Sequence, residues 1–359
     1  MAEEMNFVRG PETIIPSATS SPVEGIVRWS ASKSLWISGM TLAGIAGGAA
    51  TASWDAVLVF LALTGATLCA GHSVGMHRLL IHKSFEAPRW LERLLVWAGT
   101  LVGMAGPIGM MRQHDLRDWA QRQKDCHPYL CHRSSFWKDA WWQLHCDLVL
   151  ARPPSFDPSR ATRDPFHYFL ERTWMAQQIV PAAILFALGG WAFVFWGMCL
   201  RVAVSVTGHW LVGHYAHREG HQSYVVDGAA VQGFNVSIAG LISMGESWHN
   251  NHHAFPGSAR LGLDPGQADA GFWFIRALEY LGLARNIVLP EHLPTRPALR
   301  RTGKDGGGCP LLMRLQHAMK GKDKGTTASG PPKGQRIVPE RRNFGLPITR
   351  GMQPSTPTA

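Results

Sequence analysis

The sequence predicts an all-α integral membrane protein: four transmembrane helices in two hairpins, with a histidine-bearing helical cap on the cytoplasmic side. Three observations carry this expectation. The 359-residue chain is 46% hydrophobic yet has a mean hydropathy of only −0.05, because apolar stretches near residues 35–70, 90–111 and 175–213 alternate with hydrophilic ones. Two tight turns inside those stretches, Trp54-Asp55 and Gly189-Gly190, hold no Lys or Arg, whereas the other flanks do. Of 17 histidines, 15 fall between His72 and His253. Ionisable groups beside lipid are costly and mark function, and histidine is the commonest metal ligand among side chains.

Residues 1–33 form an N-terminal cytoplasmic segment. It begins with mixed charge and has Ser, Pro and Thr around residues 16–22, without the charged start and apolar core of a cleavable signal. Residues 34–290 form the membrane domain. Residues 35–53 carry no charge, Trp54 and Asp55 interrupt, and residues 55–76 are again mostly apolar. A bilayer takes ~20 residues of helix, so each stretch is slightly short alone and the pair suits a hairpin. Residues 174–189 and 191–213 read the same way, interrupted by Arg201, His209 and small polar groups. The competing interpretation is four buried helices of a soluble protein, which rarely sustain such uncharged runs.

Lys and Arg mark the cytoplasmic side. Arg28, Lys33, Arg78, Lys83, the arginines of residues 112–172 and the C-terminal tail all lie outside the two turns. Both termini and every histidine cluster are therefore expected on that face, as for a multi-pass protein of a bacterial inner membrane. The stretch at 89–111 contains Arg89, Glu92 and Arg93 with several glycines. It is either a fifth span or a helix on the membrane surface or packed under the site. Parity favours the second, since a span would put His114 on the side opposite His77.

Residues 291–359 form the tail. From Arg296 onward it has 13 Lys/Arg against 3 Asp/Glu, which accounts for the whole net charge of +10. It is expected to be disordered, drawn to anionic lipid heads, with a short surface helix at 309–319. Because the basic excess is a tail and not a folded face, nucleic acid is not an expected partner. Six scattered cysteines without CxxC pairs indicate a reducing compartment.

Two motifs carry chemistry. Met76-His77-Arg78-Leu79-Leu80-Ile81-His82 is an HRxxxH pattern at the end of the second span. On an ideal α-helix, residues five apart stand about 140° apart. The two histidines share one site only if the helix ends or bends there; otherwise they serve two metals. Trp248-His249-Asn250-Asn251-His252-His253 is an HxxHH pattern. It places three imidazoles on one helical face, where they would repel if protonated and be satisfied as neutral ligands of a divalent metal.

HRxxxH followed by HxxHH in this hydropathy frame resembles the membrane fatty-acid desaturases, in particular the acyl-CoA Δ9 type. The resemblance covers about residues 35–290 and is close around 70–87 and 245–263. It implies O2-dependent formation of a cis double bond in a fatty acyl chain, carried on CoA, at a centre of two Fe2+ ions. The implied metal ligands are His77, His82, His114, His209, His249, His252 and His253, with no catalytic residue beyond them. In the family's second HxxHH box, Arg117 and Asp118 stand where the last two histidines would be. Asp118 could replace an imidazole, since iron accepts carboxylates. Arg117 cannot ligate, but could orient a ligand or bind a phosphate; His127 or His132 could supply a missing ligand. Ser205 stands where the family has an Asn holding a metal-bound water. His214, His217 and His221 suit an exposed polar loop.

Glu246, Asn250 and Asn251 are candidates to hold the imidazoles in place, or plain helix-surface residues. Arg78, Arg112 and Arg117 are candidates for docking substrate or an electron-transfer partner, or simply follow the positive-inside bias. The chain has neither a dinucleotide fingerprint nor a cysteine set for an Fe–S cluster. Electrons must therefore come from a ferredoxin, rubredoxin, flavoprotein or cytochrome. Two rival functions remain: a hydroxylase or ketolase of the same architecture, and a non-catalytic membrane metal-binding protein or transporter.

Overall fold

The computed structural model of the protein describes residues 13–303. The expected helix at 309–319 and most of the tail lie outside those residues. The chain is mostly helical. Two helical stretches, Trp54–Ile81 and Ala176–Ala216, are long and apolar enough to cross a membrane.

Strands β1 (Ile14–Ile15) and β2 (Ser21–Trp29) precede α1 (Ala31–Ala50). Helix α2 (Trp54–Ala66) is capped by Ser53, whose hydroxyl accepts the Ala56 amide, with Asp55 in its first turn. It runs on into a wider, π-type helix over Thr67–Ile81. Then follow α3 (Arg89–Thr100), α4 (Pro107–Gln121), α5 (Phe136–His145), β3 (Cys146–Arg152), β4 (Ser155–Phe156), α6 (Ser159–Thr162) and α7 (Pro165–Thr173). The second long stretch comprises α8 (Ile179–Val194), a π-type turn at Phe195–Leu200, and α9 (Arg201–Ala216). Strand β5 (Tyr224–Val226), α10 (His249–Ala254), α11 (Ala270–Tyr280) and β6 (Leu299–Arg301) follow. Within α8 the backbone leaves helical geometry at Gly189 and Gly190. Gly190 has φ +61°, open to glycine without steric cost, and the Phe186 and Trp191 rings meet edge-to-face across the break at 5.0 Å.

The all-α expectation needs correction. Among the described residues there are three two-stranded antiparallel sheets: β1–β4, β2–β3 and β5–β6. In the largest, Ile26 faces Val149 and Trp29 faces Cys146. Val23, Ile26 and Val27 are β-branched residues that suit a pleated surface, but their partner strand lies far along the chain. The last segment also differs from expectation, because the chain is folded through residue 303. There β6 pairs with β5, and Arg296 donates to the carbonyls of His253 and Ala254, each at 2.9 Å, at the end of α10.

Helix α3 packs directly on the π-type stretch. A Cβ at Gly75 would lie 2.5 Å from the Leu95 carbonyl oxygen, and Gly71 abuts the backbone of Ala98 and Gly99. The stretch is enclosed on both sides. Val74, Leu79 and Phe85 pack with Leu91, Leu95 and Ile275, while Met76, Leu80 and Ile81 pack with Val96, Met111 and Leu170. The backbone that carries His77 and His82 is therefore held rigidly.

Candidate metal centre

The π-type winding decides the geometry of the HRxxxH motif. The His82 amide bonds to the His77 carbonyl at 3.0 Å, an i→i+5 contact that sets residues five apart about one turn apart. Their Nε2 atoms are 3.1 Å apart, and Nε2 of His114, on α4, is 3.3 Å from that of His82. His252 completes this group, whose four ligating atoms all lie within 4.8 Å of one another. A second group joins His217, His249 and His253. Nε2 of His249 is 3.0 Å from that of His217 and 3.1 Å from that of His253. The HxxHH trio is thus split between two positions and does not serve one. Consecutive helical residues point about 100° apart, so His252 and His253 face different neighbours.

Where the ring protons sit follows from the Nδ1 partners. His77 Nδ1 lies 2.6 Å from Oε2 of Glu246, His114 Nδ1 3.0 Å from Oδ1 of Asp115, and His217 Nδ1 2.7 Å from the Gly213 carbonyl. Carboxylate and carbonyl oxygens only accept, so each neutral ring keeps its proton on Nδ1 and turns an Nε2 lone pair inward. Those lone pairs converge on other imidazole nitrogens at 3.0–3.3 Å. A divalent cation satisfies such an arrangement, and a partner on the far ring nitrogen is the usual companion of metal-bound histidine.

Electrostatics agree. Burial, and then neighbouring imidazoles, push the pKa of His82, His249 and His252 well below the ordinary value. Burial takes His253 down to about 4, against the pull of Asp118. At His114 burial lowers the pKa, but Asp118 and Asp115 more than offset it and the net shift is upward. Most of these rings are neutral at physiological pH, the form that ligates.

The family model for fatty acid desaturases matches residues 52–270. The chain belongs to the fatty acid desaturase family. It is 35% identical over 239 residues to the sn-1 stearoyl-lipid 9-desaturase of Anabaena variabilis, covering 67% of this chain and 86% of that one. It is 35% identical over 246 residues to the sn-2 palmitoyl-lipid 9-desaturase of Nostoc sp. (strain 36), covering 66% and 82%. It is 32% identical over 251 residues to an acyl-CoA 5-desaturase of Anemone leveillei, covering 68% and 76%. The protein is accordingly an oxidoreductase of lipid metabolism.

Within this desaturase, six of the eight expected ligands enter the two clusters. His209 does not: its ring lies 4.9 Å from that of His72, edge-to-face, and it joins neither group. Helix α9 continues to Ala216, past the expected end at 213. His217, eight residues beyond His209, is thereby carried about 12 Å further along the helix axis. Assigned by sequence to an exposed loop, His217 is only 8% exposed. Its signal was its place just beyond the span's end, level with the other clusters. Ser205 is buried, and its Oγ has no hydrogen-bond partner.

Asp118 also stands outside both groups, paired with Arg122 at 2.9 Å. Burial would raise its carboxyl, but His114, Arg122, His253 and His82 hold it below the usual carboxylate range. Arg117 points inward, donating to Leu130 O at 3.1 Å and Gln143 Oε1 at 3.0 Å, with Nη1 2.6 Å from His132 Nε2. Arg78 is fully buried and bonds to Asp269 at 2.8 Å and Ala259 O at 2.9 Å. Neither arginine is free to dock a partner; Arg78 instead ties the HRxxxH motif to the loops after the HxxHH motif. Arg112 is exposed, as docking requires.

Glu246 holds His77 and accepts from Ser73 Oγ at 2.6 Å. Asn250 and Asn251 are buried, and their side chains hydrogen-bond elsewhere than to the imidazoles. Asn250 accepts the Ser223 and Tyr224 amides, and Asn251 donates to Leu261 O and Gln267, so they anchor α10. His127 joins no cluster. His132 joins a third group, in which Oδ2 of buried Asp139 accepts from His132 Nδ1 at 2.9 Å, His214 Nδ1 at 2.7 Å and Trp210 Nε1 at 2.9 Å. That oxygen is saturated by N–H donors, which suits a hydrogen-bond hub.

Proposed function

We propose that the protein uses O2 to introduce a cis double bond into a fatty acyl chain, at two iron ions held by its two principal histidine clusters. The observation that carries this proposal is the convergence of imidazole nitrogens in two clusters, three of them on rings whose Nδ1 faces an acceptor oxygen. One ion would be held by His77, His82, His114 and His252, the other by His217, His249 and His253. Iron would supply the oxidising chemistry, since no side chain attacks an unactivated C–H bond.

The protein's own residues do the rest. Glu246, Asp115 and the Gly213 carbonyl fix three imidazole tautomers. Asp118, ionised and facing both clusters, offsets positive charge there. The packing of α3 and α11 around the π-type stretch holds the first motif in place. Electrons come from an external carrier protein, for which exposed Arg112 is a docking candidate.

Four spans in two hairpins, with both termini and the clusters cytoplasmic, remain the arrangement we favour. The break at Gly189–Gly190 and the uncharged turn after α1 support it. Reporter fusions at residues 52 and 190 would locate outside the cytoplasm, and one at residue 303 inside; the same side for all three would exclude it.

Expression in a desaturase-deficient host tests the activity. New cis-unsaturated acyl chains are expected with the wild-type protein and none with His252→Ala. Asp118→Ala, which removes charge but no imidazole, should retain part of the activity. Sorting the new chains into CoA-linked and glycerolipid-linked pools identifies the carrier. The relatives' names include both kinds, and CoA is the carrier that the sequence resemblance suggested. Hydroxylated acyl chains in place of unsaturated ones would contradict the proposal.

A further inference from the structure

The second cluster has three imidazoles where the first has four. None of the residues that the sequence offered to fill the gap does so: Asp118 is paired with Arg122, His127 joins no cluster, and His132 is held between Asp139 and Arg117. We infer that Gln121 supplies the missing ligand, through its side-chain amide oxygen, to the metal held by His217, His249 and His253. This rests on the metal-binding proposal above and deepens it.

Gln121 is the last residue of α4, seven after His114 and three after Asp118. That spacing places it on the same helical face as the histidine that enters the first cluster. It is 1% exposed. Its Oε1 lies 3.1 Å from His217 Nε2, the same separation as the His249 and His253 nitrogens show from their neighbours, 3.0 and 3.1 Å. The orientation of the amide is determined by its other end. Its Nε2 donates to the Leu130 carbonyl at 2.8 Å, and because a carbonyl only accepts, the NH2 group must face Leu130 and the oxygen must face the cluster.

His217 cannot bond to that oxygen as a neutral ring. Its one proton is spent on the Gly213 carbonyl at 2.7 Å, so a lone pair on Nε2 faces a lone pair on Oε1. The same Nε2 faces His249. Acceptors meeting at hydrogen-bond distance with no proton between them are costly when buried. One cation among them removes the cost, and amide oxygen is an accepted donor to divalent metals.

The test uses the full chain purified in detergent, stripped of metal and titrated anaerobically with Co2+, followed by visible absorption and metal content. Wild type should take up about two equivalents. Gln121→Ala should weaken one of them by at least roughly 10-fold, since losing even a ligand's supporting partner costs roughly 10–100-fold, and change the cobalt band, while the other equivalent is held as before. His249→Ala should affect the same equivalent. Gln121→Glu keeps an oxygen in place and should retain uptake with a shifted band. Unchanged affinity and spectrum in Gln121→Ala would overturn the inference. Should that variant not fold, Gln121→Glu decides alone: a shifted band supports the assignment and an unchanged one overturns it. Failure of wild type to bind any metal would instead remove the metal-binding proposal, and this inference with it.

Discussion

A neutral imidazole carries one proton, and here the position of that proton decides what each ring can do. Glu246, whose Oε2 lies 2.6 Å from His77 Nδ1, is one case. It was legible as a candidate from its place three residues before His249, but its target, His77, is distant in sequence and appears only once the chain is folded. Glu246→Ala should lower metal affinity at the first position by about 10–100-fold and leave the second unchanged. Chelator competition measures this, and equal loss at both positions would contradict the assigned role. The buried rings also predict a pH response. His253 has a folded pKa of about 4 against an ordinary value of 6.5, so the unfolded chain takes up its proton first. The stability linked to this ring is full above about pH 6.5 and is lost as pH falls from there towards 4. The metal-free protein should therefore show a falling thermal midpoint across that window. Bound metal, by holding the rings neutral, should flatten the fall; identical curves with and without metal would count against ligation.

At the scale of the element, the π-type stretch explains what an ideal helix does not. The 140° problem posed by the HRxxxH spacing disappears once residues five apart are linked by a backbone hydrogen bond. No local propensity in residues 67–81 announces that winding. The contact with α3 depends on Gly71, Gly75 and Gly99, which remove side chains where two backbones approach. Gly75→Val should overpack this crossing and destabilise the fold by roughly 1–3 kcal/mol, read as a lower thermal midpoint in detergent. A neutral effect would show that α3 is free to shift. Helix α9 gives the opposite lesson. Its apolar pattern fades near residue 213, yet the helix continues to Ala216. That extension brings His217, and not His209, beside His249 and His253.

At the scale of the whole molecule, the sequence legibly separates apolar helices from histidine-bearing segments, and the desaturase family follows from two motifs. The three small sheets were hidden because each pairs strands distant in sequence, with no hairpin turn between them. The division of the histidines into groups of four and three was hidden for a related reason. Each position draws on segments from across the chain, and α10 contributes to both. The central claim is that these two groups hold metal. Anomalous diffraction at the iron edge, from crystals of the iron-loaded protein, tests it most directly. The account predicts one peak among His77, His82, His114 and His252 and a second among His217, His249 and His253, within coordinating distance of Gln121. No peak at either group, or iron bound instead at His132, Asp139 and His214, would contradict it.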